Sequence, residues 1–190
     1  MRSVLLVIVS LLIAASLAEI GLRWLAPIHT AGIQAAYEYD AELGVKLRPN
    51  VHLFRLTDHL EEIRTNRYGL ADFREDYSSY PALAFAIGDS FTQGTGLAPD
   101  ESYPAQLDML LNRDSSGRFA KHVAVVNLGL GSFGGEQSLR TLQRISKSVG
   151  APKYCLYLGS DNDFDDDLLF RSGARHRQLV AGNPNIGADS

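Results

Sequence analysis

Residues 85–97 read Phe-Ala-Ile-Gly-Asp-Ser-Phe-Thr-Gln-Gly-Thr-Gly-Leu, and they decide the fold. The apolar run Leu83–Ile87 leads directly into Gly88-Asp89-Ser90. A serine so placed sits where a buried strand turns into a helix. An α/β protein exposes a nucleophile at that point, on the carboxyl edge of its sheet and beside a helix N-terminus. Gly-Asp-Ser alone is a weak signal. Its weight comes from two further motifs downstream, in fixed order.

Beyond this stretch the chain alternates. Ser102 is expected to cap a helix with Pro104 in its first turn, and Tyr103, Leu107, Leu110 and Leu111 form a helical stripe. Asn112–Gly117 reads as a polar loop, and Val123–Leu128 as a strand covered on both faces. Gly134-Gly135 opens a second helix, with Leu139, Leu142, Ile145 and Val149 at near-helical spacing, and Gly150 and Pro152 stop it. Tyr154–Leu158 is the third strand. Alternating elements of this length predict parallel strands joined by right-handed crossovers, with helices on both faces. So apolar an outer strand would leave an open sheet edge, which predicts an incomplete α/β/α sandwich, the first part of a larger fold.

The chain divides into a hydrophobic N-terminal segment, 1–25, a lead-in, 26–82, and an α/β domain, 83–190. The lead-in is poorly periodic: Pro27, Gly32, Gly44, Pro49 and Asn50 punctuate it, Val51–Leu56 alternates like a strand, and Thr65–Leu70 reads as a turn. In the first segment Arg2 precedes an apolar run from Val4 to Ala18, broken only by Ser10 and Ser16. The run reads as a single-pass membrane anchor that continues to Trp24, at the interface. The alternative is a signal peptide cleaved after Ala18, since Ser16 and Ala18 are small residues at the right spacing. Either way the rest of the chain is exported to the periplasmic or extracellular side.

The 190 residues are 45% hydrophobic and 21% charged, with net charge −4. That composition is ordinary for a globular protein, and nothing in it forms the basic stripe expected of a nucleic-acid binder. The single cysteine, Cys155, excludes an internal disulfide and is expected to be buried in its strand. Asp161, Asp163 and Asp165 alternate as in a calcium loop, but Asp166 stands where glycine is needed and Ser172 where glutamate is needed. The run reads as a solvated acidic loop, with no metal and no cofactor. Arg140, Arg144 and Lys147 read as the wet face of the second helix.

In a parallel sheet the carboxyl ends of all strands lie on one edge. Three loops meet there: the one with Ser90, the glycine-rich loop Asn127–Gly135, and Gly159–Asp163. Ser90 brings a hydroxyl and an N–H, the glycines can turn backbone N–H groups toward a ligand, and Asn162 brings an amide. Together these suit an oxyanion hole, whose donors stabilise charge that develops in the transition state.

Gly88-Asp89-Ser90, then Asn127 with a glycine-rich turn, then Asn162-Asp163, resembles the SGNH (GDSL-type) hydrolases over about residues 83–165. The lead-in, with Leu43–Asn50 and Asn66-Arg67-Tyr68-Gly69-Leu70, looks like that of membrane-anchored bacterial members. The resemblance implies a flavodoxin-like sheet and a serine esterase, with O-acyl groups of cell-surface carbohydrate as substrates. It implies Ser90 as nucleophile and first oxyanion donor, the N–H of Ser132 as second donor and the Asn162 amide as third. Asp89, Gly131 and Asp163 would border the substrate. O-acyl transfer to a glycan, or a tethered carbohydrate-binding module without catalysis, are the alternative functions.

The sequence departs from the family at three points. Ser132 stands where glycine is usual. Ser160 stands two residues before Asn162, where glycine is also usual. The closing Asp-x-x-His is absent, and with it the base and the residue that orients it. A serine hydroxyl without an adjacent base is a poor nucleophile near neutral pH. Of His29, His52, His59, His122 and His176, only His176 follows the third strand, and it reads as a solvated loop histidine. The 190-residue chain alone is therefore expected to be inactive or nearly so.

Overall fold

The computed structural model describes residues 2–25, 35–56, 60–113 and 123–173. The chain forms two compact units, Met1–Thr30 and Ala31–Ser190. The first holds α1, Arg2–Leu25. Within it Val4–Leu22 is apolar and long enough to cross a membrane. At 1.5 Å per residue its 19 residues reach roughly 28 Å, close to the hydrocarbon thickness of a bilayer. The same length and position suit a signal sequence.

The second unit begins with two antiparallel hairpins. β1 (Tyr37–Asp40) pairs with β2 (Gly44–Leu47), and β3 (His52–Leu56) pairs with β4 (Leu60–Arg64). Only β3 was legible as a strand. The turn expected at Thr65–Leu70 is organised by Asn66, which is fully buried. Its Oδ1 accepts from the N–H groups of Tyr68 and Leu70, and its Nδ2 donates to Arg74 C=O and to the Tyr77 hydroxyl. All four capacities of that amide are thus used inside the protein.

The expected α/β pattern comes next. β5 (Ala82–Gly88) leads into α2 (Ser90–Gln93) and α3 (Tyr103–Arg113), then come β6 (Val123–Asn127), α4 (Gly135–Val149), β7 (Tyr154–Leu158) and α5 (Asp163–Arg171). The three later strands form one parallel sheet in the order β6-β5-β7. Alternation of side chains sends Ala84, Ala86, Val123 and Val125 to one face, where Tyr103, Leu107 and Leu111 of α3 cover them. Leu83, Phe85, Ile87, Ala124 and Val126 point to the other, under Leu142, Ile145 and Val149 of α4. Leu70, Tyr77 and Tyr80 of the lead-in join this second core.

The lead-in is therefore sutured to the sheet. Leu43, Val45, Leu47 and Ile63 of the hairpins share a core with Leu130 and Phe133 of the glycine-rich loop. The Gln137 Nε2 donates to Leu43 C=O, and Arg144 forks onto Asp40 while also reaching Glu42.

Several expectations are corrected here. The acidic run is a helix, α5: three aspartates occupy its first turn, where their charge complements the helix dipole, and Arg171 sits in its last. Leu110 and Leu139 are 62% and 55% exposed: the inward stripes run through Tyr103, Leu107 and Leu111 of α3 and Leu142, Ile145 and Val149 of α4, with Ala105, Asp108, Gln137, Ser138 and Thr141 buried beside them. Asn112 belongs to α3, with Nδ2 donating to Asp108 C=O and Val123 C=O. Ser102 starts α3 through its backbone, while its hydroxyl donates to Pro99 C=O and caps nothing. Arg144 is tied to the first hairpin, so it is no part of a wet face. Cys155 is exposed, because β7 is an edge strand open on both faces. The loop at 114–122 and the segment after Gly173 lie outside the described residues.

Candidate functional site

The site grows from the end of β5. Gly88 has φ +156°, and a Cβ there would lie 2.3 Å from Thr92 Oγ1 and 2.7 Å from Leu158 C=O. Glycine lets the strand stop hard against both α2 and the end of β7. Asp89 then caps α2: its Oδ1 accepts the Phe91 N–H at 2.9 Å. Ser90 is thereby the first helical residue, half-buried, at the carboxyl edge of the sheet. No hydrogen bond joins its hydroxyl to another described residue.

The glycine-rich loop lies against this turn. A Cβ on Gly129 would sit 2.2 Å from the Gln93 nitrogen and 2.5 Å from Thr92 C, so the two backbones touch. A Cβ on Gly131 would lie 3.7 Å from Ser90 Cβ. Buried Asn127 holds the loop's start: Nδ2 donates to Ala71 C=O and to Gln93 C=O, and Oδ1 accepts from Gly129 N–H. Gln93, also buried, accepts from Gly131 N–H through Oε1 at 2.7 Å and donates to the Tyr37 hydroxyl through Nε2. Ser132 adopts φ +64°. The serine thus takes the left-handed turn that a glycine adopts freely, at a strain of about 1 kcal/mol.

The third loop reaches the same place through Ser160. Its hydroxyl lies 2.9 Å from Asp89 Oδ2, 3.2 Å from Asp163 Oδ1 and in contact with Asn162 Oδ1. One hydroxyl proton serves these acceptors in turn. Asp89 is 1% exposed, with both oxygens engaged, so it braces the turn from inside and faces no ligand. Asp163 accepts from the Tyr157 hydroxyl as well as from Ser160. Burial first, then the Asp163 hydrogen bond, pushes the Tyr157 phenol up to about 12, so it stays a donor at neutral pH. Asn162 stands at the cap position of α5 without capping it, and its Nδ2 donates to Asp166 Oδ2 at 2.7 Å. In this conformation the amide is directed along its own helix.

Of the sequence-derived residues, Ser90, Gly131 and Asp89 are brought together directly, and Asn162 and Asp163 join them through Ser160. His52, the one histidine among the described residues, has its Nε2 2.9 Å from Glu62 Oε1 on the second hairpin. His29, His59, His122 and His176 lie outside the described residues. Gln93 and Ser160 were not singled out as site residues from sequence. Their partners are 38 and 71 positions away, and no local pattern reports such a pairing.

No family model and no curated protein matches the chain. Among solved structures it is similar to AlinE4, an SGNH-hydrolase family esterase, at 29% identity and TM-score 0.35, over 53% of this chain and 50% of that one. Two single-substitution variants of that esterase match over the same shares, at 29% and 28% identity. The chain thus spans about half the length of the esterases it is similar to.

Proposed function

We propose that this chain carries the nucleophile and the oxyanion-binding loops of a serine ester hydrolase of the SGNH type. Ser90 Oγ attacks the ester carbonyl, and its proton goes to a base. The carbonyl oxygen takes the electron pair as an oxyanion, held by the Ser90 N–H, the Ser132 N–H and the Asn162 amide. Collapse of that intermediate expels the alcohol, which takes the proton back, and water then hydrolyses the acyl-serine with the same base. For Asn162 to serve, its amide turns away from Asp166 when the oxyanion forms.

The observation that supports this reading is the position of Ser90. Among the described residues its hydroxyl has no hydrogen-bond partner, at the end of the central strand, while buried Asp89, Asn127 and Gln93 lock the loops around it. A plain helix cap needs none of that bracing. The apolar span Val4–Leu22 supports an exported, surface-tethered site, and O-acyl groups of cell-surface carbohydrate are the substrate class we assign.

Phosphonylation at high pH, where hydroxide can take the serine proton without a side-chain base, tests the chemistry. A fluorophosphonate at pH 9.5 should modify Ser90 selectively, read by intact mass and peptide mapping, and the adduct should vanish in Ser90→Ala. Adducts scattered over surface serines would defeat the proposal. A second reading, a tethered carbohydrate-binding module without turnover, is favoured by one observation, the Asn162 amide engaged with Asp166. Selective Ser90 modification would rule that module out.

A further inference from the structure

Behind the glycine-rich loop lies a buried polar chain that the proposed chemistry does not use. Asp72 is 3% exposed. Its Oδ1 accepts the Arg74 N–H at 2.9 Å, and its Oδ2 accepts both the Tyr77 hydroxyl at 2.9 Å and the Asn127 N–H at 3.1 Å. Asn127 in turn grips Ala71 C=O and Gln93 C=O, and Gln93 grips Gly131 beside Ser90. The path therefore runs from the lead-in, through the last residue of β6, into the loop that borders the serine. We infer that Asp72 is a titratable positioning residue for this site, setting where the Asn127–Gly131 loop sits against Ser90. The inference rests on the reading of Ser90 as the reactive group only for its functional meaning; the coupling itself stands on the hydrogen bonds.

The reason lies in the count of acceptors. A carboxylate offers free lone pairs to all three donors. Once Oδ2 is protonated, that oxygen becomes a donor facing two donors, and either the Asn127 N–H or the Tyr77 hydroxyl must let go. The Tyr77 hydroxyl is itself held by Asn66 Nδ2 at 2.8 Å, so the loss falls on the Asn127 N–H. Burial raises the Asp72 carboxyl to about 6, against the lowering effect of its three hydrogen bonds. The charged groups around it are few. Asp108 on α3 pushes its proton affinity up further, and the Arg74 guanidinium is paired with that same Asp108. Loosening of the loop is thus expected near mildly acidic pH, without unfolding.

Amide resonances of the full chain in detergent micelles test this. Between pH 4.5 and 7.5 the Asn127 and Gly131 N–H signals should titrate together, with one midpoint within about a unit of 6, and both should go flat in Asp72→Asn. Should that variant fail to fold, Tyr77→Phe supplies the check in its place. It removes a hydrogen bond that favours the charged form, so it must move the shared midpoint upward. A pH-independent Gly131 signal, or a midpoint that stays put in Tyr77→Phe, would overturn the inference. Ser90→Ala should leave the titration intact. If the titration appears and the fluorophosphonate never marks Ser90, the brace stands and the hydrolase reading falls.

Discussion

Gln93 Oε1 accepts the backbone N–H of Gly131 at 2.7 Å, so the four-residue helix that starts at Ser90 also holds the loop that passes it. Replacing that acceptor should be felt at both ends. In Gln93→Leu the half-buried amide of Gly131 loses its partner, at about 1 kcal/mol. Denaturant titration should show that loss, and phosphonylation of Ser90 should slow with it. Unchanged stability would mean that Gly131 N–H finds another acceptor.

Two neighbouring glycines should behave differently. At Gly129 a methyl group would collide with the backbone of Thr92 and Gln93, while at Gly131 its nearest neighbours would stand 3.4 Å away at Gln93 Oε1 and 3.7 Å away at Ser90 Cβ. Gly129→Ala is expected to destabilise the protein by about 2 kcal/mol or more, since a main-chain clash cannot be relieved by a rotamer change. Gly131→Ala should fold nearly as well as the parent, its methyl meeting only the side chains of Gln93 and Ser90. Equal melting temperatures for the two variants would contradict the close approach of loop and helix.

Ser132 is a third test of the same loop. With φ at +64°, it carries strain that glycine does not. Ser132→Gly should hold or raise stability, by up to about 1 kcal/mol, while leaving the backbone N–H in place. A clear drop in melting temperature would show that the serine hydroxyl contributes more than the turn costs.

Stability should respond to pH with two opposite slopes. Burial raises the Asp72 carboxyl to about 6, so the native state keeps its proton where the unfolded chain has lost it. Its contribution is full below about pH 4 and falls away as pH rises through 6, by up to about 3 kcal/mol. Asp40 has the reverse sign: the hydrogen bond from Arg144, the largest cause, holds its carboxyl down to about 2. Its contribution is present above about pH 4 and is lost as pH falls toward 2. Unfolding curves at stepped pH should lose the first slope in Asp72→Asn and the second in Asp40→Asn.

Catalysis by the 190-residue chain should be absent. Asp-x-x-His does not occur in it, and His52 is joined to Glu62. An activated acetyl ester is expected to be cleaved no faster than with Ser90→Ala at neutral pH. Turnover that depends on Ser90 would place a working base within these residues.

The order of strands and helices from Leu83 to Leu158 was legible because each element carries its own short-range mark: a continuous apolar run, a helical stripe, a glycine at a terminus. Apart from β3, the hairpins of the lead-in carried no such mark. β1 and β2 are four residues each, and their alternation is too brief to stand out. α5 was misread for a different reason. Its aspartates suggested solvation, yet they stand in a first turn that favours negative charge, ahead of Leu168, Leu169 and Phe170. Cys155, within an apolar run, and Leu139, at helical spacing, both read as interior, yet burial depends on which faces find a neighbour.

From residue types and spacing alone came the strand-to-helix turn at Ser90, the glycine-rich loop after Asn127, and the common sheet edge on which they meet. Those stem from backbone periodicity, which is local. The tertiary structure alone decided that Ser160 bonds Asp89, that Gln93 holds Gly131, that Asn162 turns toward Asp166 and that Asp72 lies behind Asn127. Each of those depends on where a buried donor must find an acceptor once the chain has closed, and that geometry does not exist until the sheet and its lead-in have packed.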